Sequence, residues 1–175
     1  MTDQPWFIGE RAEALAILHL TRCKELEIVP VSGYGNGAGI DLLVRVNQPE
    51  LPENAIFAVE VKGERSLPHV RDQKFQVRYS PSQIKQSAWP VCVFLFNVTT
   101  EEGYYRWLYE PVIDDQNRAV LRLASEFSQR LAIDGTQSKA IAVSSPFEKL
   151  TNQALQGLVR LVTRWYGVQR PARVA

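Results

Sequence analysis

Residues 57–63, with the sequence FAVEVKG, limit most strongly what this chain can fold into. Their valines and phenylalanine are typical of a buried β-strand. Glu60 and Lys62, however, are two positions apart, so they share one face of such a strand. The other face is apolar, with Phe57, Val59 and Val61. The segment therefore predicts a core strand that presents an acid and a base side by side.

A second strand is predicted at 40–46, where apolar and other residues alternate up to the connector NQPELPEN. If the two strands form a hairpin, the numbers of opposing residues sum to about 102, and Asp41 lies opposite residue 60 or 61. A slip of one residue would move Asp41 to the other face. The register therefore decides whether Asp41, Glu60 and Lys62 converge.

Two carboxylates this close repel each other when both are ionised. A hard divalent cation removes the repulsion, because Mg²⁺ takes oxygen ligands and is often held by one or two carboxylates together with a substrate phosphate. A lysine beside such a cation steadies a water nucleophile or the charge that grows on a phosphate. The alternative is a surface salt bridge in which Lys62 only neutralises Asp41 and Glu60.

The chain has 175 residues, enough for a single domain with its own core, and we treat 1–175 as one domain. The 20 lysine and arginine residues exceed the 19 aspartate and glutamate residues by one. The net charge of +1 neither demands nor excludes a polyanionic partner.

Cys23 and Cys92 lie in apolar surroundings, and neither has a second cysteine or a histidine at zinc-ligand spacing. This pattern is typical of buried, reduced thiols in a cytosolic protein. The N-terminus lacks a signal-peptide pattern, and the most apolar run, VCVFLF at 91–96, is too short to cross a bilayer. We therefore expect a cytoplasmic protein without membrane contact.

The hydrophobic pattern predicts an α/β protein with a mixed central sheet flanked by helices. Helices are predicted at 7–26, 81–88 and about 146–166. Strands are predicted at 27–31, 40–46, 56–62, 91–98, 104–109 and 140–143. Pro111 is expected to end the strand at 104–109. Ser144 or Ser145 is expected to cap the last helix, with Glu148 completing a capping box.

Asp41 followed by Glu60-Val61-Lys62 resembles the signature of the PD-(D/E)XK nuclease superfamily. The segment GERAEALAILHL resembles the first helix of that fold, and the layout through FAVEVKG to YYRWLYEP is similar to an uncharacterised bacterial domain family within it. The resemblance implies a restriction endonuclease-like core at about 7–111, in the order α-β-β-β-α-β-β. A C-terminal extension with its helix would follow.

The resemblance also implies roles for single residues. Asp41 and Glu60 would bind Mg²⁺ or Mn²⁺ together with the backbone carbonyl of Val61, and Lys62 would be the catalytic lysine. The first helix would add an acid, either Glu10 or Glu13, which are three apart and share a face. Gln83 or Gln86 would assist the site. The proline that precedes the family's aspartate is Ile40 here.

Basic residues are frequent after the proposed site and are expected to follow a phosphate backbone. The candidates for nucleic-acid binding are Arg65, His69, Arg71, Lys74, Arg78 and Lys85. Tyr34, in the turn SGYGNGAG, is a further candidate because its ring can stack on a base. The alternative for the basic segment is a solvated loop.

Three functions remain open at this point. The first is a Mg²⁺-dependent nuclease, with DNA favoured over RNA by the resemblance alone. The second is a member of the same fold that binds nucleic acid or a protein without cutting. The third is a structural subunit, with the aromatic strand YYRW at an interface. A homodimer is compatible with all three.

Overall fold

The computed structural model describes residues 5–29, 40–67, 74–79, 88–125 and 141–169, with the backbone alone described at 5–6, 74–79 and 141–145. Two helices and nine strands are assigned in these ranges. The helices are α1 (Pro5–Leu20) and α2 (Asn152–Gln169). The strands are β1 (Leu26–Val29), β2 (Leu42–Val46), β3 (Ile56–Glu64), β4 (Lys74–Tyr79), β5 (Val91–Asn97), β6 (Glu102–Ile113), β7 (Ala119–Leu123), β8 (Ile141–Pro146) and β9 (Glu148–Lys149).

A mixed sheet with the strand order β1-β2-β3-β5-β6-β7 forms the centre of the fold, and β9 pairs with β6. β3 and β5 are parallel, while the other pairs in this sheet are antiparallel. β4 and β8 form a separate antiparallel ladder. The predicted α/β class with a mixed sheet is therefore confirmed. The helix predicted at 81–88 falls almost entirely outside the described residues.

The β2–β3 hairpin has Leu42 opposite Val59, so the numbers of opposing residues sum to 101 rather than 102. Residues that oppose each other in a ladder share a face. Leu42 and Val59 belong to the core cluster on the helix side of the sheet, and Leu43 and Ala58 belong to the cluster on the other side. Asp41, one residue before β2, is therefore brought beside residues 59–61 of β3.

β5 is buried on both faces, as its uninterrupted apolar sequence predicts. Cys92, Phe94 and Phe96 face the cluster that includes residues of α1 and α2. Val93 and Leu95 face the second cluster, which contains Phe147. The parallel partner of β5 is β3, with Glu60 opposite Val93 and Lys62 opposite Leu95. Glu60 and Lys62 therefore emerge on the face opposite α1.

The predicted ends of one strand and of the first helix are wrong. β6 continues through Pro111, which pairs with Leu121 of β7. The pairing of β6 with β5 stops at Tyr109. At Pro111 the strand has only β7 as a neighbour, so the missing N–H of proline breaks no hydrogen bond to β5. The first helix ends at Leu20 rather than at 26, and β1 follows a turn after it.

The C-terminal helix begins at Asn152, later than predicted. Phe147 and Leu150 are apolar at helical spacing, but they are buried by the sheet while β9 pairs with β6. The helix cap is Thr151, whose Oγ1 accepts a hydrogen bond from the N–H of Ala154 at 3.1 Å. The capping box predicted at Ser145 and Glu148 is therefore wrong.

Candidate functional site

Asp41 is held against β3 by two hydrogen bonds. Its backbone N–H donates to the carbonyl of Val59 at 3.0 Å, and its carboxylate Oδ2 accepts the N–H of Val61 at 2.6 Å. The N–H of Val61 lies just past the end of the β2–β3 ladder, so it bonds to the Asp41 side chain instead of to a backbone carbonyl of β2. The Asp41 carboxylate is consequently fixed beside the backbone of residues 60–61.

Glu60 is buried although its side chain is ionisable. Among the residues whose burial is described, it is the one polar or charged side chain in the buried class, at 1% exposure. The Lys62 ammonium lies 2.5 Å from Glu60 Oε1, and the lysine side chain keeps 32% of its surface exposed. The pair is therefore a buried acid beside a partly open cation, which differs from the surface salt bridge considered as the alternative.

Burial raises the pKa of Glu60 above its ordinary value. The Lys62 ammonium opposes that rise, and the charge of Asp41 adds to it. Burial prevails because removing a carboxylate from water is not fully offset by one partly solvated cation. Asp41 is the smallest of these influences on the pKa of Glu60.

Glu13 of α1 also interacts with this group. Partial loss of solvent raises the pKa of Glu13, and the charges of Asp41 and then Glu10 raise it further. Glu13, one of the two helix acids that the sequence left open, is therefore a candidate member of the site.

Gly63 explains how α1 comes so close. A Cβ atom at this position would lie 2.7 Å from the carbonyl oxygen of Ile8 and 2.9 Å from Cβ of Ala12. Such distances are shorter than real Cβ contacts, so only glycine admits the helix at this depth. Sequence reasoning missed this role, although the glycine directly after Lys62 was a visible signal.

Replacing Glu60 with glutamine tests whether the site is held at a cost to stability. The folded-state pKa of Glu60 is raised above its ordinary 4.5, so its contribution to stability is largest below pH 4.5 and declines as pH rises through the folded-state pKa. Glutamine resembles the protonated acid. We therefore expect Glu60→Gln to be at least as stable as the wild type at pH 7, with the difference disappearing towards pH 4.5.

Urea unfolding between pH 4.5 and pH 8, in the presence of a chelator, measures this dependence. Glu102→Gln is the control, because Glu102 contacts Lys149 at 2.7 Å in an exposed ion pair, and a change there is expected to stay within about 0.5 kcal/mol. A Glu60→Gln protein that is clearly less stable than the wild type at pH 7 would show instead that the Lys62 pair is a structural support.

The donor set is suited to one kind of metal. Within the described ranges, no three His, Cys, Asp or Glu side chains are grouped closely enough to hold a metal ion. Zn²⁺ and Ca²⁺ sites usually require such a set. Mg²⁺ is commonly bound through one or two carboxylates, with waters and substrate phosphate completing the shell. Asp41 and Glu60 fit that last mode, since each carries hard oxygen donors and their mutual repulsion is relieved by a cation.

The other predicted site residues are only partly visible. Arg65 is exposed after β3, and its carbonyl accepts a hydrogen bond from Thr99 Oγ1 at 2.6 Å. Lys74 and Arg78 belong to β4, of which only the backbone is described. The remaining candidates lie outside the described residues: Tyr34, His69, Arg71, Gln83, Lys85 and Gln86.

Comparison with known proteins finds no matching family model, no similar curated protein and no similar solved structure. The resemblance to PD-(D/E)XK nucleases therefore depends on the residues of this chain alone. Across the described ranges, neither helix combines the length and the apolar character needed to pass through a membrane.

Proposed function

We propose that this protein is a Mg²⁺-dependent phosphodiesterase acting on nucleic acid, and specifically a DNA endonuclease with a restriction endonuclease-like core. The observation that carries the proposal is Glu60, a buried acid whose pKa is raised, which contacts the Lys62 ammonium while Asp41 is held at the backbone of the next residue, Val61. An acid kept in such surroundings is typical of a functional site. The mixed sheet with α1 on one face supports the proposed core.

The chain supplies three functions at this site. Asp41 and Glu60 would hold the cation, with the Val61 carbonyl as a further ligand. The cation would supply Lewis-acid polarisation of the phosphate and a lowered pKa for an attacking water. Lys62 remains partly open to solvent, so its ammonium orients the water and offsets charge on the phosphate. Glu13 adds negative charge from the α1 side.

A cytoplasmic location is part of this proposal, since Cys23 and Cys92 are both buried and unbridged. DNA is preferred as the substrate through the resemblance of the motif alone.

A non-cutting protein of the same fold is the second candidate. Lys62 already neutralises Glu60 at 2.5 Å, and no three metal-ligating side chains converge within the described part of the chain. Both observations favour a binding domain that has kept the residues without the chemistry. The two candidates differ in whether the protein binds a divalent cation through Glu60.

Calorimetric titration with Mn²⁺, paired with digestion of plasmid, linear duplex, single-stranded DNA and RNA, separates the candidates. We expect the wild type to bind Mn²⁺ and to cleave at least one substrate only when the cation is present. Glu60→Ala is expected to weaken Mn²⁺ binding by more than about tenfold, a loss of at least 1.4 kcal/mol, and to stop cleavage. Glu102→Ala serves as a surface control. A wild type that neither binds Mn²⁺ nor cleaves would favour the binding domain.

A further inference from the structure

One described cavity lies away from Asp41, Glu60 and Lys62. It has a volume of about 700 Å³ and lies where β6 meets the end of β7, β9 and α2. Sites for small molecules typically measure 300–1,000 Å³. The volume alone suits a ligand somewhat larger than a single aromatic ring.

A glycine in α2 keeps this cavity open. Gly157 lines it from the interior of the helix, where glycine is destabilising relative to alanine. The nearest described atom to a Cβ at this position would be Arg160 Nη2, at 3.9 Å. In contrast to Gly63, no neighbour requires a glycine here. The missing side chain therefore leaves room in the cavity that a larger residue would fill.

The cavity wall combines flat rings with fixed acceptors. Tyr105 and Trp107 line it from β6, and leucines of α2 face them. Trp107 is held edge-on against Phe57, with 6.0 Å between ring centroids. Tyr105 donates its hydroxyl proton to Glu148 Oε2 at 2.7 Å. The rings are therefore fixed in advance, as a stacking surface for a planar ligand requires.

Charged groups supply the polar contacts. Glu110 and Glu148 both line the cavity, and a carboxylate has about four lone-pair sites, so each retains acceptor capacity beyond its protein partner. Arg122 contacts Glu110 at 2.6 Å while 65% of its side chain remains exposed. An exposed guanidinium is suited to a phosphate. The complementary ligand is flat, carries amino protons and ends in an anion.

We propose that this cavity binds a nucleotide whose base carries an exocyclic amino group. The base would occupy the space between Trp107 and Gly157, its amino group would donate to Glu110 or Glu148, and its phosphate would meet Arg122. Carboxylate side chains are the usual acceptors for the amino group of cytosine. Thymine lacks that group, so cytosine and thymine nucleotides are matched probes.

The nucleotide has two sources. Arg106, which lines the cavity, lies opposite Val93, and Val93 lies opposite Glu60. Arg106 is therefore on the Glu60 face of the sheet, two strand spacings or roughly 9.5 Å from the candidate active site, whereas Tyr105 and Trp107 face α2. The cavity reaches the active-site face at Arg106. It can receive either a nucleotide of a strand bound at Glu60 or a free mononucleotide. The first form rests on the proposed nuclease function; the second is independent of it.

Calorimetry with dCMP, TMP and a single-stranded deoxycytidine oligonucleotide, in the presence of a chelator, tests the proposal. We expect dCMP, the oligonucleotide or both to bind the wild type, and TMP to bind at least about tenfold more weakly than dCMP. Gly157→Leu fills the cavity while improving helix propensity, and should weaken binding by at least about tenfold. Gly167→Leu, on the same helix outside the cavity, should bind as the wild type does.

Arg122→Ala provides a second variant, at an exposed position that leaves folding intact, and is expected to weaken binding by about tenfold, as for a lost hydrogen bond to a charged group. Binding of the oligonucleotide alone identifies a strand as the source, and binding of dCMP alone identifies the free nucleotide. The proposal is overturned if neither dCMP nor the oligonucleotide binds, if TMP binds and does so as well as dCMP, or if Gly157→Leu and Arg122→Ala both bind as the wild type does. Glu60→Ala should leave dCMP binding unchanged, so failure of the nuclease proposal remains distinguishable.

Discussion

Lys62→Ala is expected to abolish cation-dependent cleavage while leaving Mn²⁺ binding in place. The Lys62 ammonium contacts Glu60 at 2.5 Å, so it competes with a cation for that carboxylate. Removing it exposes Glu60 to the metal, and binding should be retained once the pH is high enough to ionise the acid. Cleavage should fall by at least about 100-fold, the usual result of deleting a group that stabilises charge in the transition state.

The loss of Lys62 also affects folding, and the size of that effect distinguishes a catalytic lysine from a structural one. Breaking a fully buried ion pair costs roughly 3–5 kcal/mol. Lys62 is 32% exposed, and Glu60 can take up a proton because burial already raises its pKa. We therefore expect a smaller cost in the free energy of unfolding.

Plasmid digestion, Mn²⁺ calorimetry at pH 7 and pH 8.5, and urea unfolding of the same preparations provide the three measurements. Lys149→Ala is the matched control, since Lys149 forms an ion pair of 2.7 Å with Glu102 at the surface, and this variant should cleave normally. Retention of full activity by Lys62→Ala would reject the proposed role of the lysine. Loss of Mn²⁺ binding at both pH values would indicate that Lys62 supports the site structurally.

The elements that the sequence predicted well depend on local periodicity. Alternation alone put Glu60 and Lys62 on one face, and the length of the β2–β3 connector gave a register sum within one of the observed 101. That shift mattered little, because opposing residue 60 was one of the two positions expected for Asp41. The fully apolar β5 was likewise evident from composition.

The parts that the sequence could not predict depend on contacts between distant segments. Phe147 and Leu150 continue the helical pattern of α2 in the sequence, yet the sheet buries them before the helix begins. Pro111 does not end β6, because the pairing of β6 with β5 stops at Tyr109 and only the pairing with β7 continues past the proline. The close approach of α1 to β3 at Gly63 likewise depends on tertiary packing, which no property of the helix sequence reveals.

Both proposed sites depend on a glycine, for opposite reasons. At Gly157 an added Cβ would have ample room, so the glycine creates space for a ligand. At Gly63 an added Cβ would collide with the backbone of α1, so the glycine allows two elements to touch. The φ angle of Gly63 is not in the left-handed region, and its role is therefore close approach rather than conformational freedom.

Gly63→Ala is consequently expected to destabilise the fold and to disable the site together. The new Cβ would lie 2.7 Å from the Ile8 carbonyl oxygen and 2.9 Å from Cβ of Ala12. A backbone atom cannot rotate away, so α1 must move outward, at a cost of roughly 1–3 kcal/mol as in other overpacked cores. Glu13 moves with the helix, which weakens the effect of Asp41 on its pKa.

Gly9→Ala is the control for Gly63→Ala. Gly9 lies on α1, the helix that packs on Gly63, and no atom is within 4 Å of a Cβ added there. This variant should stabilise the protein by about 0.5–1 kcal/mol. Urea unfolding gives the two stabilities, and Mn²⁺ calorimetry and plasmid digestion report on the site. A Gly63→Ala protein as stable and active as the wild type would show that α1 does not need this contact. If stability falls while Mn²⁺ binding and cleavage persist, Glu13 takes no part in the site, since the helix that carries it has been displaced without effect.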